Sequence, residues 1–77
     1  MEEITVPSGS TFAVTLNGKP KEVAPGQNLA DLLKELDLKE RLVVVERNGS
    51  IVNRADFPTI SLADGDVLEI VHFVGGG

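Results

Sequence analysis

One stretch of this chain has the period of a helix, and it stands between two Asn-Gly steps. Leu29, Leu32, Leu33 and Leu36 recur at i, i+3, i+4 and i+7, which lines one side of a helix with leucine. Asn17-Gly18 before it and Asn48-Gly49 after it are dipeptides that accept positive φ at both central positions of a two-residue hairpin turn. With 77 residues there is room for one domain and one hydrophobic core. The single leucine stripe must therefore be covered by a sheet built from the hairpins.

The segments around these landmarks read as strands. From Thr11, the residues Phe12, Val14 and Leu16 alternate with Ala13 and Thr15, the period of a strand with one buried face. Lys19 to Val23 is the returning strand, and Ala24-Pro25-Gly26-Gln27 breaks the hairpin. Asn28 sits where a helix N-cap belongs, its side-chain oxygen able to accept from the backbone of Asp31, so the helix is expected to begin at Leu29. Glu35 and Lys39 have the spacing of an i,i+4 pair on the solvated side, worth about 0.3–0.5 kcal/mol. Residues 42–47 are rich in β-branched side chains and run into Asn48-Gly49, with Ser50-Ile51-Val52 beyond. Residues 54–61 are irregular around Pro58, with Phe57 and Ile60 expected against the core, and Ala63-Asp64-Gly65-Asp66 turns the chain again.

The last strand is expected over residues 67–74. It is apolar on both faces apart from Glu69 and His72, which places it inside the sheet, with the first strand parallel beside it. The fold class is then α+β: a mixed sheet of four to five strands with one helix packed on one face, the β-grasp arrangement of ubiquitin. Residues 1–10 read as a lead-in, a short strand at Ile4 and Val6 or a mobile segment. Residues 11–74 form the domain, and Gly75, Gly76 and Gly77 a flexible tail.

Composition removes several classes of chemistry. There is no cysteine and one histidine, which excludes disulfides and thiol nucleophiles and leaves a zinc or transition-metal site almost nothing to build from. A net charge of −5 and a pI near 4.6 argue against nucleic acid and favour a basic protein surface as partner. No basic start with a long apolar run marks a signal peptide, and no apolar stretch is long enough for a membrane span, so the cytoplasm is expected. There is no Gly-x-x-x-x-Gly-Lys-Ser/Thr phosphate loop and no recognisable arrangement of serine, histidine and acid. Asp64 and Asp66 read as turn chemistry, His72 as a packed or edge-exposed strand residue, and Asp31, Glu35, Asp37 and Glu40 as a solvated acidic face. Arg47 and Arg54 are too few and too scattered to make a phosphate site.

Taken in order, several segments carry a resemblance. Leu16-Asn17-Gly18, Asn28-Leu29-Ala30-Asp31-Leu32-Leu33, residues 45–52 around Asn48-Gly49, Leu62-Ala63-Asp64-Gly65-Asp66 and the closing glycines together resemble the ThiS family, the sulfur carriers of thiamin biosynthesis. The resemblance covers residues 11–77. Residues 1–10 exceed the usual family start, and three glycines stand where the family needs two.

The resemblance implies a carrier and not an enzyme. An adenylating, ThiF-like partner would activate the Gly77 carboxylate with ATP, and sulfur from a persulfide donor would convert it to a thiocarboxylate for a ThiG-like thiazole synthase. Gly76, Gly75, Val74 and Phe73 would be read by the partner as the tail is threaded. This chain would bind no cofactor, metal, nucleic acid or membrane, and would be a monomer when free. A glycine backbone suits a narrow channel because it lacks Cβ. Sulfur carried on an acyl group also makes the missing cysteines unsurprising. Related carriers serving molybdopterin synthesis or tRNA thiolation share the terminus, and a β-grasp module that only binds a partner is the reading outside the carrier class.

Overall fold

A computed structural model describes residues 11–73, and both Asn-Gly steps make the turns expected of them. Asn17 and Gly18 take φ of 50° and 84°, and Asn48 and Gly49 take 53° and 88°. Two positive φ values match a tight turn to the twist of its flanking strands. The first turn joins β1 (Phe12–Leu16) to β2 (Lys19–Val23) along five antiparallel pairs, from Phe12 opposite Val23 to Leu16 opposite Lys19. The second joins β3 (Val43–Arg47) to β4 (Ser50–Ile51), where two pairs form, Glu46 with Ile51 and Arg47 with Ser50.

The last strand, β5 (Val67–His72), completes the sheet in the order β2-β1-β5-β3-β4. It runs parallel to β1 and antiparallel to β3, so the first and last strands lie side by side at the centre as expected. This is the β-grasp topology. The strand ends at His72, earlier than the 67–74 expected. Its two faces are not both covered: Leu68 and Ile70 are buried, whereas Val67 and Val71 are exposed.

The helix α1 (Leu29–Glu35) is fixed at both ends. Asn28 Oδ1 accepts from the Asp31 N–H at 2.8 Å, and the Asp31 carboxylate accepts from the Asn28 N–H at 3.3 Å, a reciprocal cap. At the other end Asp37 takes φ 61°, its N–H donates to the Lys34 carbonyl at 3.0 Å, and the Leu38 N–H donates to the Leu33 carbonyl at 2.8 Å. That pair of bonds closes a helix through a left-handed residue, here Asp rather than the usual glycine.

The helix therefore stops before Lys39, and the expected Glu35–Lys39 pair does not form. Glu35 instead accepts from Lys21 Nζ at 2.7 Å and from Gln27 Nε2 at 2.9 Å. These bonds, the one from Lys21 foremost, hold its carboxyl below the ordinary range for glutamate.

Leu29, Leu32 and Leu33 are fully buried and Leu36 partly so, against a single core that includes Val14, Val45, Phe57, Leu62 and Leu68. Phe57 enters this core from a 3-10 turn, Arg54–Thr59, that contains Pro58, and Ile60 packs at its margin. The chain after that turn straps the start of the helix: the Leu29 N–H donates to the Ile60 carbonyl at 3.1 Å and the Leu62 N–H to the Gln27 carbonyl at 2.9 Å. One face of the sheet is thus filled by α1 and the Arg54–Thr59 turn. The lead-in of residues 1–10 and the tail of residues 74–77 lie outside the described residues.

Candidate functional site

Of the five residues expected to meet a partner, Phe73 is described, while Val74, Gly75, Gly76 and Gly77 lie outside the described residues. Phe73 is 53 % exposed, and its N–H donates to the Leu42 carbonyl at 2.8 Å. Leu42 belongs to a short 3-10 turn, Glu40–Leu42, whose Glu40 carbonyl accepts from Arg54 Nε at 2.9 Å. Arg54 thus ties down the turn that receives the end of β5, a structural task.

Further back, both Asn-Gly turns grip β5, one from each side. Where β1 ends, the Asn17 N–H donates to the Leu68 carbonyl at 2.9 Å. Its carboxamide continues the ladder: Oδ1 accepts from the Ile70 N–H at 2.7 Å and Nδ2 donates to the Ile70 carbonyl at 3.1 Å. From the β3 side, the Asn48 N–H donates to the Val67 carbonyl at 2.7 Å, and Asn48 Oδ1 accepts from the Val67 N–H at 2.9 Å.

The Asp64-Gly65-Asp66 segment completes this grip. Asp64 Oδ1 accepts from the Ala13 N–H at 2.7 Å, which ties the turn to β1. Asp66 is buried and accepts three bonds at its carboxylate, from Arg47 Nε at 3.0 Å, Asn48 Nδ2 at 3.0 Å and the Ala63 N–H at 2.9 Å. Burial alone would raise its pKa, but the Ala63 N–H, the Asn48 amide and the Arg47 guanidinium outweigh burial and leave the group below the usual carboxylate range. Asp64 and Asp66 are therefore turn residues, as read from the sequence, but apart from the local Ala63 N–H their partners are far along the chain. Nothing in the local pattern around Asn17, Asn48, Asp66 or Arg54 signals these long-range bonds.

The sheet face opposite the helix is open among the described residues. Val67 and Val71 stand on it with Glu69 between them. Thr15 is paired with Val67, Val44 with Val71 and Glu46 with Glu69, and Ile51 lies opposite Glu46 at the edge, so neighbours across the ladder share this face. The surface is a valine-rich strip crossed by two glutamates directly opposite each other, and it ends at Phe73. His72, on the alternate side and paired with Val43, is exposed at the strand end.

Among the described residues no His, Asp or Glu group could hold a metal ion, and there is no pocket. No helix there is long and apolar enough to cross a membrane. What the arrangement can do is hold the end of β5 at the rim of an acidic, apolar face.

Comparison with known proteins agrees with this geometry. The model of the ThiS family matches residues 14–77. The chain is similar to the sulfur carrier protein ThiS of Bacillus subtilis (strain 168), with 44 % identity over 63 residues that cover 80 % of this chain and 96 % of that protein. It is also 39 % identical over 64 residues to a thiazole synthase of Magnetococcus marinus, covering 83 % of this chain but 20 % of that protein. Among solved structures, the crystal structure of a thiamine biosynthesis protein (ThiS) from Geobacter metallireducens superposes with a TM-score of 0.73 at 38 % identity, covering 86 % of this chain and all of that one. An N-terminal ubiquitin-like domain superposes with a TM-score of 0.53 at 18 % identity, a likeness of fold alone. The strand order, the paired Asn-Gly turns and the match that runs through residue 77 lead to one assignment: the chain belongs to the ThiS family.

Proposed function

We propose that this chain, a ThiS-family sulfur carrier of thiamin biosynthesis and not an enzyme, carries sulfur as a thiocarboxylate on Gly77. The observation that carries the reading is the anchoring of β5. It is gripped by Asn17, Asn48 and the Asp66 turn, and it delivers Phe73, four residues short of Gly77, to the rim of the open face.

The chemistry follows in three balanced steps. A Gly77 carboxylate oxygen attacks the α-phosphorus of ATP on a ThiF-like adenylating partner, and pyrophosphate leaves. The terminal sulfur of a persulfide then attacks the acyl carbon, and AMP leaves. A thiol cleaves the resulting acyl disulfide, and the thiocarboxylate remains for a ThiG-like thiazole synthase. ATP and persulfide belong to the partner, since this chain offers no nucleotide cradle in its sequence. Its own contribution is reach and address. Gly75, Gly76 and Gly77 add no side chain to a channel that must hold the carboxylate in line and exclude water from the acyl-adenylate. The reaction is placed in the cytoplasm, with the carrier a monomer when free.

The open face is the docking surface in this reading. Glu46 and Glu69 suit a partner with basic side chains around an apolar patch, and the net charge of −5 favours approach to such a surface. The thiazole synthase partner is supported by the likeness of this chain to about a fifth of the Magnetococcus marinus protein. A direct test is ATP–pyrophosphate exchange with the adenylating enzyme. The unaltered chain supports exchange, and a variant with one residue added after Gly77 does not. Equal exchange by both overturns the assignment of Gly77 as the reacting group.

A further inference from the structure

The same dipeptide occurs in two turns, and the fold holds the two turns unequally. In an Asn-Gly step no Cβ shields the following backbone nitrogen, which can approach the asparagine side-chain carbon. Attack requires the carboxamide to turn that carbon toward the glycine nitrogen. It must first give up the hydrogen bonds it makes in the fold.

At Asn17-Gly18 the turn closes five strand pairs, and the carboxamide sits on Ile70 through two partly buried bonds. At Asn48-Gly49 it closes two pairs at the sheet edge, where Ile51 is 68 % exposed, with one further bond from the Val52 N–H to the Val45 carbonyl at 2.9 Å. The Asn48 carboxamide also makes two bonds, one part-buried from Nδ2 to Asp66 Oδ1 at 3.0 Å and one exposed from the Val67 N–H to Oδ1, so the difference lies in the short edge hairpin and the exposed bond. Segments with few contacts and exposed backbone bonds open at low cost, whereas a five-pair hairpin opens only with much of the sheet.

We propose that Asn48-Gly49 is a spontaneous modification site of the folded protein, losing ammonia from Asn48 well ahead of Asn17-Gly18, and that the product unfastens the start of β5. The Gly49 nitrogen bonds to Asn48 Cγ, the bond from Cγ to Nδ2 breaks, and ammonia leaves with the proton lost by Gly49. Water then opens the cyclic imide at either carbonyl and restores the Gly49 N–H. The products are aspartate or isoaspartate, and no electron changes hands.

Either product damages the grip. Aspartate at position 48 has no side-chain N–H to give to Asp66, so two carboxylates face each other where a 3.0 Å hydrogen bond stood. Isoaspartate adds a methylene to the backbone and undoes a turn built on two residues with positive φ. Asp66 keeps Arg47 and the Ala63 N–H, so the damage begins at Val67 rather than across the whole sheet.

The test uses the unaltered full chain, aged in mildly alkaline buffer, digested, and followed by mass spectrometry for exchange of NH2 by OH at each asparagine. The Asn48 peptide is expected to convert at least about fivefold faster than the Asn17 peptide, as a low-cost local opening requires. In strong denaturant the two rates converge. Equal rates in native buffer, a faster Asn17, or no conversion at either site overturns the proposal. The aged product, separated by charge from the unaltered chain, is expected to exchange its Val67 amide hydrogen faster than the unaltered chain, and unchanged protection there overturns the unfastening.

Discussion

The Asn17 carboxamide spends both of its hydrogen-bonding groups on the backbone of Ile70, accepting at 2.7 Å and donating at 3.1 Å across 53 residues of sequence. It stands in for the strand residue that β1 lacks after its turn. Asn17→Ala leaves the Ile70 N–H and carbonyl without these partners and is expected to cost about 1–3 kcal/mol of stability. Asn17→Asp keeps the acceptor but turns a carboxylate oxygen toward the Ile70 carbonyl in a part-buried site, so it should destabilise as well. Urea unfolding gives the stabilities, and the Ile70 amide should exchange faster in the alanine variant than in the wild type.

Asp66 is expected to contribute to the acid limit of the fold. Its folded pKa lies below the unfolded one, so its contribution is fully present above the ordinary carboxylate value, about 3.9, and is lost as pH falls through the lower folded value. Stability measured from neutral pH downward should drop across that window, and the drop should be smaller in Asp66→Asn, which no longer titrates. At neutral pH the same variant should be less stable by about 1.5–3 kcal/mol, the range for hydrogen bonds to a charged group. An acid profile identical in wild type and variant would show that other carboxyls control acid unfolding.

Glu46 and Glu69 face each other across β3 and β5 with valines on either side. Like charges directly opposite in a ladder oppose folding, so Glu69→Gln should stabilise the free domain by about 0.2–1 kcal/mol. The same change removes charge from the proposed docking face. It should raise KM for the carrier in the adenylation reaction while leaving kcat unchanged, and the effect should shrink at high salt. A change in kcat at constant KM would place Glu69 outside the docking face.

Much of this fold is legible in local sequence because its signals are local. Asn17-Gly18, Asn48-Gly49, the leucine spacing and the Asn28 cap each act within a few residues, and each forms as expected. The helix end was harder to read because Asp37, not glycine, takes the left-handed position, so the Glu35–Lys39 pairing rested on a turn of helix that is absent. The partners of Glu35 come from Lys21 and Gln27 on the preceding segment. The apolar run containing Val67 and Val71 places β5 inside the sheet, as the strand order has it, but an apolar strand face looks the same in sequence whether the fold covers it or leaves it open. The bonds of Asn17, Asp64, Asp66 and Arg54 join residues 13 to 53 positions apart, except for the local Asp66–Ala63 link, and only the folded topology brings them together.

The account rests most directly on the intact mass of the chain after incubation with its adenylating enzyme, ATP and a persulfide donor, followed by a thiol. One oxygen should be replaced by one sulfur, with the change confined to the C-terminal peptide, and a chain lacking Gly75, Gly76 and Gly77 should keep its fold and show no change. An unaltered mass, under conditions in which the Bacillus subtilis carrier gains sulfur, would contradict the central claim.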